Sequence, residues 1–434
     1  MNIYMKRQDR LSDSLQTNSM VVIFSNNQVI RSNDTEYPFR QNSNFYYLTG
    51  VLEENSALVI IKDKNNLIST YLFLKDKITE QSVWNGPGVS LDKIIELGYT
   101  QSNILYISTF TENISKFLSN IEYLYFDIFN IHCEYNLLDI CKSLNNNRKI
   151  FVSPKKFIDI IHLIEKKRLI KSNDEINIIK KALLITKKAH ISSMKKCKPN
   201  IFEYQLQANY EYEFKNNGAY NDAYTSIVAS GNNANTLHYI ENKDLLKTGD
   251  LILADAGCEF NMYSSDITRI YPVNGKFGES QSFLYNKILN IQKYIITLIK
   301  PDITFEFLQQ KTEVLISKLL IELKILNHFK LEQILEDKLF KKYYPHGIGH
   351  WMGIDVHDQN PYRDEKGELI KFQEGMVLTI EPGLYLQSGD NNIPIEYQGI
   401  GIRIEDNILV TNDGYDNLSI DIIKEIKDIE EVMK

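Results

Sequence analysis

Two short stretches near the middle of the chain alternate apolar and polar positions like half-buried strands, and each contains an aspartate. In LILAD, residues 251–255, Leu251, Leu253 and Asp255 alternate with Ile252 and Ala254. In DITRIY, residues 266–271, Asp266, Thr268 and Ile270 share a face. Paired as an antiparallel hairpin, the two runs aim both carboxylates into one pocket. Like charges held that close are costly unless a proton or a metal lies between them. Either aspartate alone is an ordinary solvated acid, one of 56 acidic residues. The pair gains meaning from chemistry-bearing residues farther along the chain.

The pattern elsewhere predicts an α+β protein in two parts. Residues 1–165 read as a mixed α/β unit with strands at 20–24, 57–61, 69–74 and 123–126 among helical patterns. Within it, YPFRQNSNFYYLTG (37–50) is an aromatic stretch suited to a core or a partner surface, a structural rather than a catalytic role. Trp84 sits in turn chemistry, SVWNGPG, and is expected to be exposed. Near residue 170 the pattern changes. Ser172 and Glu175 form a capping box, and Ile176, Ile179 and Leu183 recur at helical spacing until Pro199. Asn200–Glu203 is expected to cap a second helix with Leu206, Tyr210 and Phe214 on one side. Strand-like segments follow over 225–271. The same order then recurs, with helices over 280–299 and 304–326 and strand-like segments over 347–410. A helix–helix–sheet order used twice predicts two related halves with a site in the crevice between them.

The second half brings further chemistry. YPHGIGHWMGIDVHD (344–358) holds His346, His350 and His357, three of the chain's eight histidines. His346 and His350 have the i, i+4 spacing of a zinc-binding helix. Gly347, Gly349 and Gly353 argue against any helix there, and Gly347 stands where that motif needs its glutamate. In GMVLTIEPGLY (375–385), Val377, Thr379 and Glu381 share one strand face. A glutamate closing an apolar strand before Pro382-Gly383 needs a partner. In GIGIRIED (399–406), alternation places Arg403 and Glu405 together, either as a surface salt bridge or as an arginine that orients a carboxylate. Collected, Asp255, Asp266, His350, Glu381 and Glu405 offer four negative charges and one imidazole. That set balances two divalent cations and favours Mn²⁺, Fe²⁺ or Co²⁺ over a thiolate-type zinc site. Two such ions ~3.5–4 Å apart can activate a water and polarise a carbonyl oxygen.

Composition narrows the partners. The chain has 434 residues, is 43% hydrophobic and 24% charged, and carries a net charge of −7, which argues against nucleic acid. Its opening residues lack the pattern of a signal or transit peptide, and no run approaches the ~18 apolar residues of a membrane span. Cys133, Cys141, Cys197 and Cys258 show no CxxC spacing. A cytoplasmic protein with reduced thiols is expected.

Taken together, RQNSNFYYLTG, VASGNNANTLHY, LADAGCEFNMYSSDITR, HGIGHWMGIDVHD, VLTIEPGLY and GIGIRIED, in that order and spacing, resemble the bacterial Xaa-Pro aminopeptidase (aminopeptidase P) family over essentially the whole chain. The resemblance implies a smaller α/β domain over 1–168, followed over 169–434 by a pita-bread catalytic domain of two pseudo-related halves. It implies a dinuclear centre, usually of manganese, on Asp255, Asp266, His350, Glu381 and Glu405. Asp266 and Glu405 would bridge the metals, and Glu381 would be the base for the attacking water. His238 and His357 match histidines that contact substrate and stabilise the tetrahedral intermediate. His346 and Tyr385 match residues of the substrate region, and Arg403 an arginine behind the ligands. Trp84 matches a tryptophan that approaches a neighbour's active site in family tetramers, so a homo-oligomer (tetramer or dimer) is expected.

The implied activity is hydrolysis of the bond before proline at position two of a peptide, releasing the N-terminal residue. The nearest alternative is an Xaa-Pro dipeptidase (prolidase). Family prolidases carry a product-side arginine in an insertion between the last two glutamates. Here 23 residues separate Glu381 from Glu405, and LQSGDNNIPIEYQGIGI contains no arginine. A non-catalytic pita-bread binding module or a metal-free creatinase-like hydrolase should have lost acidic ligands, and all are present.

Overall fold

The computed structural model describes residues 2–77, 83–84, 86–130, 135–146 and 152–434. Packing divides the chain into two compact units, Met1–Lys167 and Arg168–Lys434. Cys133 lies outside the described residues.

The first unit is built on a six-stranded sheet in the order Ile104–Tyr106, Ile68–Leu74, Ala57–Lys62, Ser19–Phe24, Tyr123–Phe126, Lys156–Asp159. Ser19–Phe24 pairs antiparallel with Ala57–Lys62 on one side and parallel with Tyr123–Phe126 on the other. Met20, Val22, Ala57 and Val59 pack with Phe73, Phe110 and Leu124. Val21, Ile23, Leu58 and Ile60 are buried as well, so both faces of the central strands are covered. That is why these strands read as continuous apolar runs. The two edge strands escape the pattern because they bury little. The second half of the aromatic stretch is core, while Tyr37 is exposed: helix Ser43–Thr49 buries Phe45, Tyr46 and Tyr47, with the Asn42 side chain accepting from the N–H groups of Asn44 and Phe45. Trp84 is 86% exposed.

In the second unit the capping box at Ser172 is formed. Glu175 accepts from the Ser172 N–H at 2.9 Å, and helix Asn173–Lys196 buries Ile176, Ile179 and Leu183. Asn200 does not cap the next helix. It sits at φ +66°, and Phe202 is the N-cap of helix Glu203–Asn216, its N–H donating to Gln205 Oε1. Glu203 turns inward instead, accepting from the Ser230 N–H and hydroxyl and from Tyr239. The same order repeats with helices Glu279–Thr297 and Phe305–Glu322. Each helical pair precedes a three-stranded sheet. One is Ile227–Ser230, Leu251–Asp255 and Thr268–Pro272; the other is Val377–Ile380, Asp406–Val410 and Tyr415–Asn417.

Two expectations about strands need correction. Leu251–Asp255 and Thr268–Pro272 do pair antiparallel, Asp255 opposite Thr268. Their connection is a second small ladder, Cys258–Phe260 with Tyr263–Ser264, and Asp266 lies just before its strand. Residues 399–406 are not one alternating strand. Ile400–Arg403 pairs with Gly383–Leu386, whereas Asp406–Val410 pairs with Val377–Ile380. Ile404 and Glu405 therefore sit at a crossing between two sheets, where Glu405 N–H donates to the Thr268 carbonyl of the other half.

Residues 344–358 form no helix, as their glycines require. Residues 348–350 run beside Val377–Ile380 through Thr379 N–H to His350 O (2.9 Å) and Glu381 N–H to Ile348 O (2.8 Å). A Cβ on Gly349 would lie 1.9 Å from the Thr379 carbonyl oxygen, so only glycine fits there. Loss of one N-cap typically costs about 1 kcal/mol. Ser172→Ala should lower the unfolding free energy by that amount in urea denaturation; an unchanged midpoint would show that the box adds nothing.

Candidate metal centre

Strand ends of the second unit converge on a cavity of about 350 Å³. Asp255, Asp266, His350, Glu381 and Glu405 line it, together with His238, His346, His357 and Arg403. Asp255 closes its strand, Glu381 follows Ile380, and Glu405 stands at the crossing. Each side chain thus springs from a rigid backbone at the point where the ladder stops. Ligand atoms of Asp266, His350 and Glu405 lie within 4.8 Å of one another. Tyr385 lies behind the wall, its hydroxyl 2.8 Å from His346 Nε2. Trp84 is not among the lining residues.

Hydrogen bonds settle the imidazoles. A carbonyl only accepts, so His350 Nδ1 carries the hydrogen that it gives to Trp351 O at 3.0 Å. Its Nε2 then faces Asp266 Oδ2 at 3.3 Å and Glu381 Oε1 at 3.6 Å, the orientation of a metal-ligating histidine. His346 Nδ1 donates to Gly347 O, which leaves Nε2 to accept from Tyr385. Burial, and then the Arg403 charge, hold His346 neutral with a pKa of about 3. His238 and His357 stand at the exposed rim, and the His357 ring meets His350 edge-on at 4.2 Å.

The carboxylates are crowded and mostly buried. Burial raises Asp255, opposed by Arg403, whose Nη2 donates to Asp255 Oδ2 at 2.7 Å. Burial and then repulsion from Asp266 push Glu405 well above the ordinary glutamate range. Burial lifts Glu381 to about 7 against the charges of His350 and Arg403. Burial alone would lower His350, but the hydrogen bond to Asp266 and the Glu381 charge outweigh it and bring it to about 9. The donor set suits a hard or borderline divalent cation, since one imidazole and four carboxylates that repel one another gain most from positive charge.

Several supporting residues carry no signal of their own in the sequence. The Tyr224 hydroxyl lies 2.6 Å from Asp255 Oδ1 and 2.5 Å from Asp266 Oδ1. A phenol has one hydrogen, so both contacts cannot be donated bonds to ionised carboxylates; a proton or a cation must share the space. Asn407 clamps the Asp266 backbone, its Oδ1 accepting from the N–H and its Nδ2 donating to the carbonyl. Thr268 donates to Glu405 Oε2 at 2.8 Å, and Thr379 to Glu381 Oε1 at 3.2 Å. Both threonines were readable as strand neighbours of the acids. Tyr224 and Asn407 were not.

Residues 177–412 match the model of metallopeptidase family M24, and residues 4–125 match the aminopeptidase P N-terminal domain. The chain belongs to metallopeptidase family M24. It is 38% identical to an Xaa-Pro aminopeptidase of Haemophilus influenzae, across 99% of this chain and 96% of that protein. It is similar in structure to aminopeptidase P from E. coli with the inhibitor Pro-Leu, at TM-score 0.94 and 34% identity, covering 99% of this chain and 97% of that one. A zinc-substituted form of the E. coli enzyme in complex with product matches at the same TM-score, identity and coverage. The second unit of this M24 chain is therefore a pita-bread domain, and its doubled helix–helix–sheet order is that fold's internal repeat.

The raised groups set a pH dependence. A group whose folded pKa exceeds its unfolded value stabilises the fold below the unfolded pKa and loses that contribution as pH rises through the folded one. For Glu381 the window runs from roughly 4.3 up to about 7. For His350 it runs from roughly 6.5 up to about 9. The metal-free protein should lose stability across both windows, while a cation in the site takes over the proton's role. The increase in Tm caused by a divalent transition-metal ion should therefore grow from pH 6 to pH 9 in thermal melts; a constant or shrinking increment would contradict this assignment.

Proposed function

We propose that this chain is an Xaa-Pro aminopeptidase, a metal-dependent enzyme that hydrolyses the N-terminal Xaa-Pro bond of peptides and releases the first residue. In this reading, residues 1–168 are the aminopeptidase P-type N-terminal domain and 169–434 the catalytic domain. Asp255, Asp266, His350, Glu381 and Glu405 would hold two divalent ions, of which Mn²⁺ suits the oxygen-rich donor set. Such ions lower the pKa of a water and polarise a carbonyl oxygen.

The chain's own residues do the rest. Glu381, which lines the cavity beside His350, would receive the proton of the attacking water. His357 and His238, at the cavity rim, donate to the carbonyl oxygen as it gains charge. The His346–Tyr385–Arg403 chain of hydrogen bonds holds the wall against which substrate rests. Proline's tertiary nitrogen offers no N–H, so recognition of this bond relies on shape and on the polarised carbonyl.

One observation separates this reading from a prolidase. Arg403 is the single arginine between Glu381 and Glu405. All its nitrogens are engaged: Nη2 with Asp255, Nη1 with the Tyr385 hydroxyl at 2.9 Å, and Nε with Thr268 at 3.2 Å. Clamping a dipeptide's carboxylate would draw it away from these partners. Exposed Trp84 supports the proposal that the active form is a homo-oligomer, tetramer or dimer, in which it reaches a neighbouring copy's site. Free Cys141, Cys197 and Cys258 support a reducing, cytoplasmic setting.

With metal-stripped protein reconstituted with Mn²⁺, kcat/KM should be higher for Ala-Pro-Ala than for Ala-Pro. A clear preference for the dipeptide would make the enzyme a prolidase, and full activity without any metal would remove the dinuclear reading. His357→Ala should leave metal content unchanged, measured by elemental analysis, and cut kcat by about 10²–10³. Parental kcat in that variant would reduce His357 to a structural role.

A further inference from the structure

Behind the two glutamates lies a buried polar network that no part of the reaction uses directly. Gln292, on helix Glu279–Thr297, is fully buried among apolar residues. Its Nε2 donates to the carbonyl of Ile380 at 3.3 Å and to that of Ile404 at 3.1 Å. These are the residues immediately before Glu381 and Glu405. Its Oε1 accepts from Lys424 Nζ at 3.0 Å, and Lys424 also pairs with buried Asp406. The ammonium can only donate, so it fixes which end of the Gln292 amide faces the two carbonyls.

The need for this amide follows from the backbone. Ile404 N–H donates to the Pro382 carbonyl, as in a rung of an antiparallel ladder. The reciprocal bond would run from the N–H of residue 382 to the Ile404 carbonyl, and proline has no N–H. Ile404 is completely buried, so water cannot replace that bond. Gln292 supplies the missing donor, and with its second hydrogen it reaches the strand that carries Glu381.

We propose that Gln292, oriented by Lys424, is a positioning residue that sets the relative placement of Glu381 and Glu405 and through it the affinity of the centre for metal. This inference rests on the reading of both glutamates as ligands. Gln292 touches neither substrate nor ligand side chains, and its action passes through the Ile380 and Ile404 backbones. Changes to partners behind metal ligands typically weaken metal binding 10- to 100-fold.

The test uses the full chain as Gln292→Met, close in size but without the amide, beside Thr312→Val. Thr312 is an equally buried residue on another helix, and among the described residues its hydroxyl donates to the Leu308 carbonyl of its own helix. Mn²⁺ titration of metal-free protein by calorimetry is read together with kcat, KM and Tm. Gln292→Met should bind Mn²⁺ about tenfold or more weakly and lose kcat at saturating metal, with KM within twofold of the parent. Thr312→Val should lower Tm alone. If Gln292→Met does not fold, Gln292→Glu carries the same readouts: its carboxylate keeps the Lys424 partner and loses the paired donors. A variant with parental Mn²⁺ affinity and kcat but reduced Tm would overturn the proposal and leave Gln292 a structural residue. A parent chain that binds no Mn²⁺ would instead overturn the ligand reading.

Discussion

Four mostly buried carboxylates share one cavity, and the rest of the centre answers that constraint. Taking an ionised carboxylate out of water costs several kcal/mol, and each added neighbour of the same sign raises the cost. Asp255, Asp266, Glu381 and Glu405 are gathered nonetheless. The positive charge within reach is the Arg403 guanidinium, committed to Asp255, together with the His350 imidazole when it is protonated. That leaves Glu381 and Glu405 above their ordinary range. The remaining imbalance is what bound positive charge would remove, so a cation entering the cavity would relieve a cost already present in the fold.

Holding such a site requires backbone that cannot relax. The acids stand where strands end, so the ladder fixes the residue on one side and leaves the side chain free to turn inward. The two halves contribute unequally. The first supplies Asp255 and Asp266, the second His350, Glu381 and Glu405. They are stitched together beneath the ligands by Glu405 N–H to Thr268 O, by the Asn407 side chain around the Asp266 backbone, and by Arg269 to the Glu405 carbonyl. A cation held between the halves would add to contacts that the apo fold already makes.

The same geometry explains why Arg403 belongs to the site as structure. Its guanidinium is spread over Asp255, Tyr385 and Thr268, and Tyr385 passes the contact on to His346. A planar fork with several donors can serve all of these at once, which a lysine could not. The result is a neutral His346 facing the cavity beside a charged arginine with a partner on each nitrogen.

Local pattern was enough to find much of this. Alternation located Leu251–Asp255 and Val377–Ile380, the capping box located Asn173–Lys196, and glycines excluded a helix around His350. These features depend on residues a few positions apart, and the acids and histidine of the centre could be collected from them. Ordered motifs then carried the family. Other features depend on which strand lies opposite, and sequence spacing holds no record of that. Residues 399–406 look like one strand, yet they divide between two sheets because Gly383–Leu386 and Val377–Ile380 take different halves of them. The Ile404 carbonyl lacks a donor only because Pro382 faces it, and Gln292, more than 80 residues earlier, becomes relevant only when its helix packs there. Tyr224 likewise matters only because folding brings Asp255 and Asp266 to its hydroxyl. The sequence by itself determined which groups carry metal-binding chemistry and where the long helices and the central strands lie. The tertiary structure decided which backbone atoms were left without partners and how far burial moved each charge, because both depend on neighbours distant in the chain.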